Sequence, residues 1–181
     1  AQLPVLLSEY IFYDKQDVED YLGLLAQTDE YYAQILAFEK ERADAGLSMS
    51  DTWIDGIIQS CEGYLLTPER SFLSETFTER LATVPGLSQE EIDDYTARNL
   101  QVLGEDFIPA YQLLVDGLKE LKGTGTNDKG MCYFPRGKEY YEYLVHSATG
   151  TTYETVDDLK TAIENQMDSD LIAMSKILKA N

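Results

Sequence analysis

"SQEEIDDYTARNLQVLGEDFIPAYQLLVDGLKEL", Ser88 to Leu121, sets the fold class of this chain. Ser88 and Glu91 form an S-x-x-E capping box, in which the hydroxyl and the carboxylate three residues on satisfy each other's backbone donors at a helix start. Behind it Ile92, Tyr95, Asn99, Val102, Leu103, Phe107, Tyr111, Leu114, Leu118 and Leu121 recur every three or four residues, the spacing of one helical face. Pro109 lacks an N–H and predicts a kink or break near mid-length.

The same period extends outward. Asp17 to Ala26 places Val18, Tyr21, Leu22 and Leu25 on one face, and a second helix starting at Thr28 or Asp29 carries Tyr32, Ile35, Leu36 and Glu39 toward a stop at Gly46, the two forming a helical hairpin. Ser50 is read as the cap of a helix bearing Trp53, Ile54, Ile57, Ile58 and Cys61. Pro68 is read as the first residue of the next, which holds Phe72, Leu73, Thr76, Phe77 and Leu81. A last helix starts near Thr155 and repeats Val156, Leu159, Ile163, Met167, Leu171, Met174 and Leu178, ending at Asn181 with no cap and with its apolar stripe intact. Such a stripe implies a surface to pack on. No segment sustains strand alternation beyond a short run at Met131 to Phe134. The expected fold is therefore all-α: an irregular bundle of about six or seven helices with one Gly/Tyr-rich loop, Gly123 to Thr151, in a single domain spanning 1–181.

Composition narrows the partners. The chain has 181 residues, 44% of them hydrophobic and 11% aromatic, with thirteen tyrosines against one tryptophan, which is globular and not disordered. Thirty-three acidic against fourteen basic side chains give a formal charge of -19, so phosphate backbones and anionic headgroups are repelled. Nucleic acid is excluded as a partner, and with no apolar run long enough to span a bilayer this segment does not insert into a membrane. Ala1 stands where a Met would begin a nascent chain, and the abrupt apolar opening reads as a processed or excised piece. Cys61 and Cys132 admit one pairing, although two separate thiols is the simpler reading.

Most chemical motifs fail on spacing. "GTGTND" at Gly123 to Asp128 has Asp128 where a dinucleotide loop needs its third glycine, and Gly125 to Gly130 is followed by Met131 and Cys132 where a P-loop needs Lys-Ser/Thr. No calcium loop is in register, and a single histidine, His146, with neither HExxH nor CxxC leaves no zinc ligand set. His146 reads as a residue at a helix C-terminus, where its cation is favoured. A Cys132–His146 dyad can be written, but no orienting third residue accompanies it, and no carboxylate stands in an apolar setting that marks a raised pKa. What remains is "PRGKEYYEYLVHSATG", where Pro135 to Lys138 make a turn and Tyr140, Tyr143 and Leu144 would share a helical face. Tyrosines beside Arg136 and Lys138 could hold a peptide by stacking and carboxylate pairing, or could pack the loop onto the core.

The ordered blocks "QLPVLLSEYIF", "DVEDYLGLLAQ", "AFEKERADAGLSM", "IIQSCEGYL" and "LKGTGTNDKGMCYFPRGKEYYEYLV" resemble the bacterial domain of unknown function family 885 over nearly all of the chain. Longer members of that family look like secreted or lipoprotein zinc metallopeptidases of the gluzincin type, hydrolases whose helical HExxH-like motif lies downstream of the tyrosine-rich segment. The resemblance implies that this chain is a non-catalytic helical portion of such an extracytoplasmic enzyme. It implies no catalytic or metal-binding residue here, zinc only in the parent protein, and the catalytic half of the same chain as partner. On that reading Arg136, Lys138, Tyr140, Tyr141 and Tyr143 are the candidate substrate contacts in one wall of a peptide cleft. The alternative is a self-contained helical module that binds a peptide or another small ligand.

Overall fold

The computed structural model describes residues 2–180; Ala1 and Asn181, and the readings of the chain's opening and finish that rest on them, lie outside the described residues. The fold is an all-α multi-helix bundle, with no strand among the described residues. The chain divides into two compact units, residues 1–128 and 129–181.

The first unit holds α1 (Leu3–Ser8), α2 (Lys15–Ala26), α3 (Thr28–Asp44), α4 (Asp51–Glu62), α5 (Phe72–Leu81), α6 (Gln89–Val102) and α7 (Ile108–Leu121). α2 begins two residues before the predicted start. Asp14 accepts from the N–H groups of Gln16 and Asp17 while the Asp17 carboxylate accepts from those of Tyr13 and Asp14, a capping box built with aspartate. Val18, Tyr21, Leu22 and Leu25 are buried, as their spacing predicts. Only Gln27 separates α2 from α3, yet α3 packs chiefly against α7, not as a hairpin on α2. Gly117 permits that approach: a Cβ there would stand 2.7 Å from both terminal methyls of Leu36.

Three local readings are corrected. Pro68 opens a separate 3-10 turn, Pro68–Arg70, and α5 starts only after Ser71, whose hydroxyl accepts from the Leu73 N–H at 3.3 Å. Trp53 does not join the buried face of α4; it is 72% exposed, while Ile54, Ile58 and Cys61 are buried. The interruption of the long helix begins not at Pro109 but upstream, as a π turn over Leu103–Phe107 that the Ile108 N–H closes on the Leu103 carbonyl. Tyr95, Leu103, Phe107 and Tyr111 are buried, and with Asn99 they recur every four residues. On a 3.6-residue helix each such step drifts about 40° around the axis, and the wider π turn returns the face to the core.

The core is aromatic. Phe12 meets Tyr21 and Phe77 edge-on at 5.4 and 5.5 Å, and Tyr111 lies within 5.0 Å of Tyr32, Tyr64 and Phe107. The buried hydroxyls of Tyr32 and Tyr111 are 2.7 Å apart. Arg80 enters this core as a cation. Its guanidinium lies 4.6 Å from the Phe12 ring and 4.7 Å from the Tyr21 ring, Nη1 donates to the carbonyls of Leu7 and Tyr10, and Nε donates to that of Thr76. Asn99 is 1% exposed, and neither of its amide atoms has a protein partner.

The part of the predicted Gly/Tyr-rich loop that falls in the second unit, from residue 129 on, is largely helical. Within Met131 to Phe134, the one short run with strand-like alternation, Met131–Tyr133 is a 3-10 turn, and α8 runs Gly137–Thr149 before α9, Val156–Ala180. The Gly137 N–H donates to the Phe134 carbonyl at 2.9 Å, and a Cβ on Gly137 would fall 1.9 Å from the Met131 carbonyl oxygen. Glycine at that position lets the turn close onto the 3-10 segment and start a helix. With α6 and α7 counted as one interrupted helix and six-residue α1 set aside, seven helices carry the architecture among the described residues, within the expected number.

Candidate functional site

α8 carries four of the five predicted contact residues, and Arg136 immediately precedes it. Tyr140 and Tyr143, three apart, stack with ring centroids 6.1 Å apart and planes 22° from parallel, and Tyr141 projects about 100° further round the helix. They are 53%, 62% and 52% exposed. Arg136 sits just before the helix in the left-handed region, φ 58, a conformation uncommon for a residue with a side chain. Its guanidinium is paired with Glu139 at 2.7 Å, and that carboxylate holds its proton affinity above the ordinary value. Lys138 is exposed and makes no ion pair among the described residues. The structure thus gathers a stacked tyrosine pair, a third tyrosine and a lysine on one exposed helix, with Arg136 already engaged.

The dyad written from sequence finds no support. Cys132 is an exposed free thiol, whereas the ring nitrogens of His146 lie 3.4 Å from the Thr151 carbonyl and 3.3 Å from that of Glu154. The imidazole, in the last turn of α8 as predicted, ties together the connection to α9 and is not aimed at a nucleophile. Cys61 is a buried free thiol, in keeping with the reading of two separate thiols. Among the described residues no three His, Cys, Asp or Glu side chains converge as metal ligands, so the residues present do not fit a zinc ion.

Two features escaped the sequence. Asp106, in the π turn, has its carboxyl pushed above the usual range by burial, with the like charges of Asp29 and Glu105 adding to it. The first unit also has an apolar cleft of about 450 Å³ lined by Leu3, Leu6, Leu24 and Tyr31, with Glu30 and Gln34 among its polar groups. Glu30 accepts from the Gln34 amide at 3.1 Å. The available signal was the position of Leu24 and Tyr31 off the buried stripes of α2 and α3, where each is 50% exposed. No helix of the described residues is long and apolar enough to cross a membrane.

Comparison with known proteins gives a fold relative and a family. No curated protein matches the sequence. A solved structure titled "The crystal structure of the putative lipoprotein from Colwellia psychrerythraea" superposes with a TM-score of 0.78 at 19% identity, covering 84% of this chain and 26% of that one. The chain thus spans about a quarter of the length of that relative, which at this identity supports the fold alone. The family model described as "Bacterial protein of unknown function (DUF885)" matches residues 1–180, and the chain belongs to that family.

Proposed function

We propose that this chain is the helical, non-catalytic portion of a longer extracytoplasmic zinc peptidase, and that α8 forms one wall of its substrate cleft. The observation that carries the reading is the exposure of the stacked Tyr140 and Tyr143 on one side of α8 and of Tyr141, three residues after Lys138, on the adjoining side, on a helix fixed by the Gly137 turn. Exposed tyrosines offer flat apolar contact at low entropic cost and a hydroxyl for peptide backbone groups, and the lysine offers a carboxylate partner. Arg136, held by Glu139, shapes the start of the helix and would reach a substrate carboxylate only by leaving that pair. Zinc would be bound by residues outside this chain, where it would polarise a scissile carbonyl. The relative's title as a lipoprotein supports the extracytoplasmic placement.

The test is made on the longer protein. Replacing Tyr140 and Tyr141 with alanine should raise KM for peptide substrates by about 2- to 12-fold per ring, the equivalent of an aromatic contact of roughly 0.5–1.5 kcal/mol, with zinc content unchanged. Turnover and KM both unaffected would make α8 purely structural, and a longer protein without stoichiometric zinc or peptide turnover would end the peptidase reading.

A second reading, a self-contained module for a peptide or small ligand, is favoured by the cleft between Leu3, Leu6, Leu24 and Tyr31. It requires saturable binding by the 181-residue chain itself, abolished by Leu24→Glu.

A further inference from the structure

The second unit has almost no interior. Among its described residues Gly137 alone is buried, whereas the first unit buries a continuous set of large side chains from Leu7 to Leu121. α9 is the extreme case: none of its 25 residues is buried, and Ile163, Met167, Leu171, Met174 and Leu178 are 51–77% exposed. With Val156 and Leu159 these side chains fall on one face at intervals of three and four, and Val156, Met167 and Leu178 repeat every eleven residues. An eleven-residue repeat keeps a stripe in line on a nearly straight helix, the pattern of a helix that lies along another over its whole length. Isolated helices hold poorly in water, and a helix of this length takes its stability from packing that face.

We propose that the α9 stripe is an intramolecular interface, covered by a helical segment of the same polypeptide lying outside residues 1–181. Length supplies the occupant: the chain matches 26% of its solved relative, so about three quarters of that protein lies outside the shared region. Charge argues against the obvious rival, a second copy, because each copy carries a formal charge of -19 and would bring the acids of α9, Asp157, Asp158, Glu164, Asp168 and Asp170, beside another acidic surface. The covering segment is accordingly an amphipathic helix with basic residues facing the first four turns of α9, where only Lys160 is a cation, and acids facing Lys176 and Lys179. The inference rests on the chain being part of a longer protein and is independent of that protein's chemistry.

Hydrogen exchange on the unaltered sequences tests it, comparing α9 peptides in the 181-residue chain and in the longer protein. Exchange across Ile163 to Leu178 should be at least about 100-fold slower in the longer protein, as for a helix that opens only with its surroundings. Maleimide labelling of Leu171→Cys in a Cys132→Ser background should follow the same order, fast in the short chain and blocked in the long one. Equal exchange and labelling in both proteins would overturn the proposal. So would protection already present in the short chain: with a dimer mass and concentration dependence it would identify a second copy as the occupant, and in a monomer it would identify the chain's own first unit. Zinc content and peptide turnover are read separately, so loss of the peptidase reading leaves this outcome standing.

Discussion

A single substitution made at three glycines tests how closely α3 and α7 are fitted. Gly23 in α2 and Gly56 in α4 have nothing within 4 Å of where a Cβ would go, so alanine there should gain about 0.5–1 kcal/mol from reduced backbone entropy and better helix propensity. Gly117 has the same propensity to gain. Its Cβ, however, would meet Leu36 Cδ1 and Cδ2 at 2.7 Å and Cγ at 3.2 Å, well inside contact distance. Leu36 is 5% exposed and cannot swing into water, so the conflict is an overpacked core costing about 1–3 kcal/mol. Offsetting propensity leaves Gly117→Ala destabilised by roughly 0–2 kcal/mol, and about 1–3 kcal/mol below the Gly56 control. In urea titrations read by circular dichroism, midpoints should separate in that order with unchanged slopes, and melting temperatures should follow by about 2–4 °C per kcal/mol. In a Leu36→Ala background the Gly117 penalty should vanish, giving a coupling energy of the size of the clash. If Gly117→Ala gained as much as Gly56→Ala, the close approach of α3 and α7 would be refuted.

Two more predictions concern polar groups. Tyr111→Phe should cost about 1–3 kcal/mol because it leaves the buried Tyr32 hydroxyl, now 2.7 Å from its partner, unpaired, and the Tyr32→Phe/Tyr111→Phe double variant should recover part of that; a double variant worse than the sum of the singles would contradict it. In acid, Glu91 is held down to about 2 by hydrogen bonds from Lys15 and Ser88, and Glu19 is lowered by its bond from Arg98. Depressed folded-state values give stability that is present above the unfolded carboxylate range near 4.3 and is lost as pH falls toward 2. Urea midpoints should therefore drop through that window and less steeply in Lys15→Met, whereas identical pH profiles would show that the Lys15 pair contributes nothing.

The helices were legible where burial alone chose the residues. Val18, Tyr21, Leu22 and Leu25 keep a helical period because they face one core, and Ser88 with Glu91 carries its own start signal. Start sites failed where two caps competed: Ser71 caps α5 better than Pro68 begins it, and Asp14 with Asp17 did not match a capping box sought as Ser/Thr with Glu/Gln. The π turn was written in the four-residue spacing of Tyr95, Asn99, Leu103, Phe107 and Tyr111, and Pro109, which cannot donate to the Glu105 carbonyl four residues back, marked the interruption without marking its form. Gly137 looked like part of a turn, although its bareness is what allows the turn to end at once in α8. The face of α9 could be read from its period, while the surface that meets it could not, because periodicity records burial and not the identity of the neighbour. Of the candidate site, the tyrosines were found by their types; the engagement of Arg136 by Glu139 and the cleft beside Leu24 depend on geometry that spacing does not encode.

Arg80 gives the first unit a joint of a different kind from its surface pairs. Lys15–Glu91, Arg98–Glu19 and Lys122–Asp55 each depend on an ionised carboxylate in contact with water, and protons or salt weaken them together. Arg80 instead donates to the carbonyls of Leu7 and Tyr10 while resting beside the Phe12 and Tyr21 rings, and backbone carbonyls carry no titrating charge. The attachment of α1 and the residues after it to α5 thus does not depend on an ionised carboxylate, in a chain with more than twice as many acids as bases.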